Sequence, residues 1–468
     1  MLGLWGERPH AMRAEVLTTL FVLAVAAGDL TLYPLIHLRL ATVLPVGVAV
    51  VAVWWAAFRW PPRAGLRGAA VPAAMLLFAA TVACSAALAL RRAPDPVEGR
   101  TEVQGLLAGV AIAVTTVALS RGSWRGLTAL RRGWPLALFL AVLVAAVELL
   151  TGRHLWIPSG LSWAETSRTI VAGAFRNPND FALAVTAMIS GTLSHAATLP
   201  RHRSRPLRAA LHALVVAGVV VVALTESRSG LLACVLVLTV HAAVGLHRRR
   251  ARVGGRSGGP PHPDPARRRH PRAIGVGLTV AACAVLAAAF LVPALAARNP
   301  VLHLATSAAE PGTARSDRLR LDLLRAALRY LRDSDGLGTG AASFEVLLAR
   351  DPAPGVASRT WLHDTFLELL LQYGAPAALA LAALLLLVVA ALVRPPRRGR
   401  RSRLVRVEAL GFVVPYLGLG CASATVLTTP IWWLLFGETA AAAWWLLGSP
   451  DEGVQPRARP DHAATGQG

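Results

Sequence analysis

A histidine at the edge of an apolar run is the first group in this sequence that could do chemistry. His363 stands in SRTWLHDTFLELLLQYG (358–374), after a polar stretch and directly before a long apolar one. An imidazole with a pKa of about 6.5 takes a proton from an attacking hydroxyl at neutral pH, which makes His363 a candidate general base. The bland alternative is an amphipathic side chain anchoring a helix end at a lipid boundary. Three arginines accompany it. Arg228, in LTESRSGLLA, sits between two apolar runs in a turn so short that its side chain is expected at or inside a helix bundle. Arg176, in GAFRNPNDFA, precedes another run, and Asn177-Pro178-Asn179 supplies a turn and a helix start whose free N–H groups favour anions. Arg318 lies on a basic face within DRLRLDLLRAALRYLRDSDG. A guanidinium meets phosphate oxygens in pairs and keeps its charge near a low-dielectric boundary, so the set reads as an anion grip beside a base. Snorkelling, a salt bridge to Glu226 and ordinary solvation are the structural alternatives.

The elements that must position these groups are membrane helices. The chain of 468 residues is 55% hydrophobic and 16% charged, too little polar surface for a soluble domain of this size. Apolar runs near the ~20 residues that cross the hydrocarbon core recur throughout, about 12 of them. They fall near 14–33, 41–58, 69–90, 103–120, 135–151, 179–199, 207–225, 229–246, 273–297, 364–393, 407–427 and 429–448. The fold class is thus an all-α polytopic membrane protein. Its one large external loop, 298–362, lies between spans 9 and 10. Within that loop Ser316-Asp317 offers a helix start, Leu321, Leu324, Leu328 and Leu331 recur at helical spacing, and Asp333-Ser334-Asp335-Gly336 ends the run. Arg318, Arg325, Arg329 and Arg332 gather on the other face, as expected of an amphipathic helix lying on a membrane surface.

All 48 basic residues are arginine, and they set a net charge of +23. Their placement argues against a nucleic-acid partner. Arg59, Arg63 and Arg67 follow the second span, Arg121 to Arg132 the fourth, Arg201 to Arg208 the sixth, Arg248 to Arg269 the eighth and Arg394 to Arg406 the tenth. Every second loop is arginine-rich, the positive-inside pattern, which puts both termini on the cytoplasmic side of the cytoplasmic membrane. Cys84, Cys234, Cys283 and Cys421 fall inside apolar runs without CxxC spacing, so neither a disulfide framework nor a zinc site is indicated. No Walker-type loop is found, and the DxD spacing at Asp333-Ser334-Asp335 reads as the end of the loop helix. The reaction is therefore expected to need neither metal nor cofactor.

In order, GAFRNPNDFALAV, LTESRSGLLA, DRLRLDLLRAALRYLRDSDGLGTGAASF and WLHDTFLELLLQYGAPAAL resemble the O-antigen ligase and O-antigen polymerase superfamily of bacterial membrane glycosyltransferases. The resemblance runs from Gly173 to the end of the tenth span and more loosely to Trp432-Trp433. It implies three regions: N-terminal transmembrane helices (1–172), an O-antigen ligase-like catalytic region (173–448) and a cytoplasmic tail (449–468). It also implies transfer of a glycan from undecaprenyl diphosphate to the hydroxyl of a glycan or glycolipid acceptor at the outer membrane face. The family's loop histidine matches His363, and the arginine of its Ser-Arg-Gly-type motif matches Arg228. Where the family commonly has Asn after the histidine, this chain has Asp364. A transporter or lipid-linked glycan flippase is the competing reading. It calls for a repeated half and charges at midplane; no repeat is visible, and the interior charges are expected at the external edge.

Overall fold

The computed structural model describes residues 9–26, 66–154, 170–173, 175, 177–200, 204–254, 311–352, 362, 364–394, 399–422 and 426–448. Among them the architecture is helical: α1 (Pro9–Ala26), α2 (Leu66–Arg91), α3 (Pro96–Ser120), α4 (Trp124–Thr151), α5 (Pro178–Thr198), α6 (Arg205–Leu224), α7 (Arg228–Gly254), α8 (Pro311–Arg332), α9 (Ser343–Arg350), α10 (Thr365–Val393), α11 (Arg400–Ala422) and α12 (Pro430–Gly448). Local chemistry sets the ends. Asp95 caps α3 by accepting from the Val97 and Glu98 amides at 2.8 and 3.1 Å, with Pro96 in the first turn where its missing N–H costs nothing. Ser123 caps α4, and Gly152 closes it in the left-handed conformation.

Seven described helices, α2 to α6 with α10 and α11, are long and apolar enough to cross a membrane. The expected count of about twelve is not reached by that criterion. Runs 41–58 and 273–297 lie outside the described residues. Two expected spans form helices whose apolar part is short, Glu15–Ala26 and Arg228–Ala243. The run at 429–448 is present as α12, and its surroundings explain its character. Every residue from Ile431 to Leu447 is buried, so this helix faces protein on all sides and needs no lipid-facing stripe. It packs against α2, α3, α10 and α11, while α5 forms a second centre among α4, α6, α7 and α11. Lipid gives no hydrophobic drive to hold helices together, so small residues let backbones approach. A methyl on Gly109 of α3 would sit 2.0 Å from the Trp433 ring of α12.

The interior also holds charge that the sequence reading placed elsewhere. Arg131 of α4, fully buried, donates from Nε to Glu408 Oε1 of α11 at 2.7 Å and lies 4.6 Å from the centre of the Trp124 ring. Trp134 donates to Glu438 of α12 at 2.8 Å. These groups lie well away from the chain segments expected outside. Each has a partner, which fits a clamp joining three helices.

One expected span is not continuous. α10 breaks at Gly374, whose φ of 84° and ψ of 173° no helix accommodates. Pro376 follows two residues later and lacks the amide that would have bridged the break. The carbonyls freed at Leu371 and Gln372 accept from the Thr339 and Gly340 amides at 2.8 and 3.2 Å, and the Ala375 amide donates to Gly336 O at 2.8 Å. The Gly336–Gly340 stretch thus fills the gap, and Arg92, just past the end of α2, pins it by donating to Gly338 O at 3.1 Å.

Candidate functional site

The short front half of α10, Thr365 to Tyr373, packs with α8 and α9. Leu362, Leu367 and Leu371 share a small separate core with Leu323, Ala326, Ala327 and Tyr330 of α8 and with Phe344 and Leu348 of α9. The Tyr330 hydroxyl donates to Asp351 O at 2.5 Å, and burial pushes its phenol pKa up, keeping the donating proton in place. α8 starts at Pro311, five residues before the Ser316-Asp317 start expected from the sequence, and stops at Arg332, before Asp333-Ser334-Asp335-Gly336. Its packing face differs from the leucine stripe of the sequence reading. Leu323, Ala326, Ala327 and Tyr330 turn inward, whereas Leu321, Leu324 and Leu328 are 43%, 37% and 50% exposed. Arg325 and Arg329 are exposed too, paired at 3.1 Å with Asp322 and Asp351 respectively. α8 therefore has three faces: one for protein, one apolar and one basic.

His363 and Arg176 lie outside the described residues, but both of their chain neighbours are described. Leu362 is buried, and Asp364 caps α10 by accepting from the Leu367 amide at 2.9 Å. Asn and Asp serve equally as N-caps, so the exchange of the family's Asn for Asp leaves this cap intact. Asn177 caps α5, accepting from the Asn179 amide at 2.9 Å, and Phe175 stacks on Phe181 with ring centres 5.8 Å apart. Arg228 is the first residue of α7 and its side chain is exposed, where the sequence reading expected it at or inside the bundle. The preceding Glu226 adopts a left-handed φ of 55°, and the Ser227 hydroxyl accepts from the Gly230 amide at 3.1 Å. Arg318 is on α8, five residues before the packed face begins, and its side chain lies outside what is described.

Close helix approaches bring the remaining neighbourhoods to one end of the bundle. A methyl on Gly230 of α7 would lie 2.3 Å from Ala182 of α5, one on Gly418 of α11 2.8 Å from Leu183 of α5, and one on Gly420 of α11 2.8 Å from Phe366 of α10. α11 thus links the starts of α7 and α5 to the start of α10. Three helix N-termini converge there, each with orphan amides and a positive dipole end suited to an anion.

The sequence reading missed an acidic group at this end. Glu368 is buried one turn into α10, within electrostatic reach of Glu102, Glu345 and Asp364. Its Oε1 accepts from Gln372 at 3.1 Å, Gln372 in turn accepts from the Ala342 amide at 2.7 Å, and Tyr373 donates to Glu102 at 3.4 Å. Glu102 and Glu368 are 266 positions apart, so no spacing in the chain could announce them. Among the described residues no cluster has the donor set for a metal ion.

No curated protein matches the chain. Residues 213–382 match the family model described as O-antigen ligase, a stretch that contains Arg228, Arg318 and His363 but not Arg176. The apolar helices mark a multi-pass membrane protein, and residues 213–382 of it are similar to the O-antigen ligase family.

Proposed function

We propose that the chain transfers a glycan from a polyprenyl diphosphate to an acceptor hydroxyl at the outer face of the cytoplasmic membrane. The observation that carries this reading is the convergence of the α7, α5 and α10 starts at one end of the bundle, within or next to the segment matched as O-antigen ligase. The leaving diphosphate departs as an anion and needs no general acid; it needs cations held where charge develops. Arg228 at the α7 start supplies one, with Arg176 and Arg318 as helpers. His363, next to the α10 cap, deprotonates the acceptor hydroxyl for in-line attack at the anomeric carbon, which inverts that centre. No metal takes part in this scheme, and both termini face the cytoplasm. The exposed leucines of α8 rest in the outer leaflet with the arginines at phosphate level.

The test is purified protein in liposomes, given a lipid-linked glycan donor and a candidate acceptor. A new glycosidic bond of inverted configuration, formed with metal chelator present, is the expected result. Movement of intact donor across the bilayer without bond formation would assign the chain to the flippase class.

A further inference from the structure

We infer that Glu148 is a positioning residue for Arg228, an inference that rests on the donor-binding role proposed for that arginine. Glu148 lies one turn before the end of α4 and is 2% exposed. A carboxylate at such a place is retained only with hydrogen-bond partners, and those described for its side chain lie outside the helices. Oε2 accepts from two consecutive amides, Ala172 N at 3.0 Å and Gly173 N at 2.9 Å, and Oε1 lies 3.4 Å from His154 Nδ1.

The clamped peptide is itself a buttress. The amide of Val171, the next residue back, donates to the carbonyl of Leu224, the last residue of α6, at 3.3 Å. Four residues beyond Leu224 stands Arg228, reached through the left-handed Glu226 and the capping Ser227. Gly173 holds the clamp in register on its far side. Its φ is 58°, and a methyl there would come within 2.5 Å of the Phe181 ring, so the peptide is wedged between α5 and the carboxylate. The α6–α7 turn therefore takes its place from Glu148 through one short stretch of backbone. A strained turn stays put only when its surroundings over-determine it, and this buttress does so.

The experiment uses the full chain in liposomes and compares Glu148→Ala, Glu148→Gln, Arg228→Ala and the double variant Glu148→Ala/Arg228→Ala. Amide hydrogen exchange of residues 170–173 is read alongside the kinetics. Glu148→Ala should lower kcat/KM for the donor about tenfold while leaving the acceptor KM unchanged. Glu148→Gln should recover most of the loss, because an amide oxygen accepts from the same two N–H groups. The double variant should be no worse than Arg228→Ala alone, since both changes act through one contact. Equal loss toward donor and acceptor, or losses that add in the double variant, would overturn the positioning role. Wild-type donor kinetics in Arg228→Ala would overturn the donor site and the positioning role together. Faster exchange at 172–173 in Glu148→Ala would then show that the clamp exists and that only the reading of Arg228 failed.

Discussion

Replacing His363 with Ala should cost on the order of 10²–10⁴ in transfer rate if the imidazole acts as general base, with expression and donor binding retained. Turnover by the wild type should fall as pH drops through the imidazole pKa, because a protonated ring accepts nothing. Asp364→Asn keeps the α10 cap and removes an adjacent negative charge, so it should leave stability unchanged and move that inflection downward. A pH–rate profile of the two proteins decides it; coincident profiles would leave Asp364 as a cap alone. At Arg228, a bidentate grip on diphosphate makes Lys nearly as damaging as Ala, since a point charge does not reproduce the planar fork. A fully active Arg228→Lys enzyme at wild-type expression would remove the grip from the mechanism.

Among elements, the α8–α9–α10 module offers the clearest handle. Tyr330→Phe removes an O–H donated to Asp351 O and should loosen the module by about 1 kcal/mol, read as faster amide exchange in α8 and α9. The phenol pKa is raised in the fold, so Tyr330 contributes its full stability below the unfolded value of about 10. That contribution fades as pH climbs through the folded value, whereas Tyr330→Phe should show no such alkaline loss. Element identity was legible along most of the chain because the apolar runs are long and Asn177-Pro178 and Asp333–Gly336 are turn or end signals, whereas Ser316-Asp317, read as a helix start, lies inside α8. The face α8 buries was not legible: leucines and alanines alternate around it, and only its partners α9 and α10 select Ala326 and Ala327 over Leu324 and Leu328. The break at Gly374 was written in Gly374-Ala375-Pro376, but a run apolar on both sides masks it. At the site, the local motifs picked out Arg228 as a candidate and the Asn177 cap, while Glu148 meets amides 24 and 25 residues on and Glu102 a tyrosine 271 residues on.

At the scale of the whole molecule, the arginine alternation predicts which loops are outside. In a background lacking Cys84, Cys234, Cys283 and Cys421, an impermeant maleimide should label Asp335→Cys in intact cells and Gly258→Cys only after permeabilisation. The reverse pattern would invert the topology and remove the mechanism with it. The buried charges predict a different response. Glu408→Ala strands Arg131 without its carboxylate and should cost about 3–5 kcal/mol, seen as a large drop in melting temperature in detergent. The plug in α10 has a consequence for how this protein can change over generations. Its joints are main-chain bonds from Gly336, Thr339 and Gly340 to Ala375, Leu371 and Gln372, so at Leu337, 45% exposed, side-chain identity carries little weight. Length and glycine carry it: Gly336, Gly338 and Gly340 all have positive φ, and a Cβ on Gly338 or Gly340 would lie 2.7 or 2.5 Å from the backbone of Gln372 or Arg92. Deleting a single residue between Gly336 and Gly340 would set carbonyl against carbonyl across the break, and no substitution elsewhere could restore the pairing. This short stretch should thus vary at Leu337 yet keep its three glycines and admit neither insertion nor deletion.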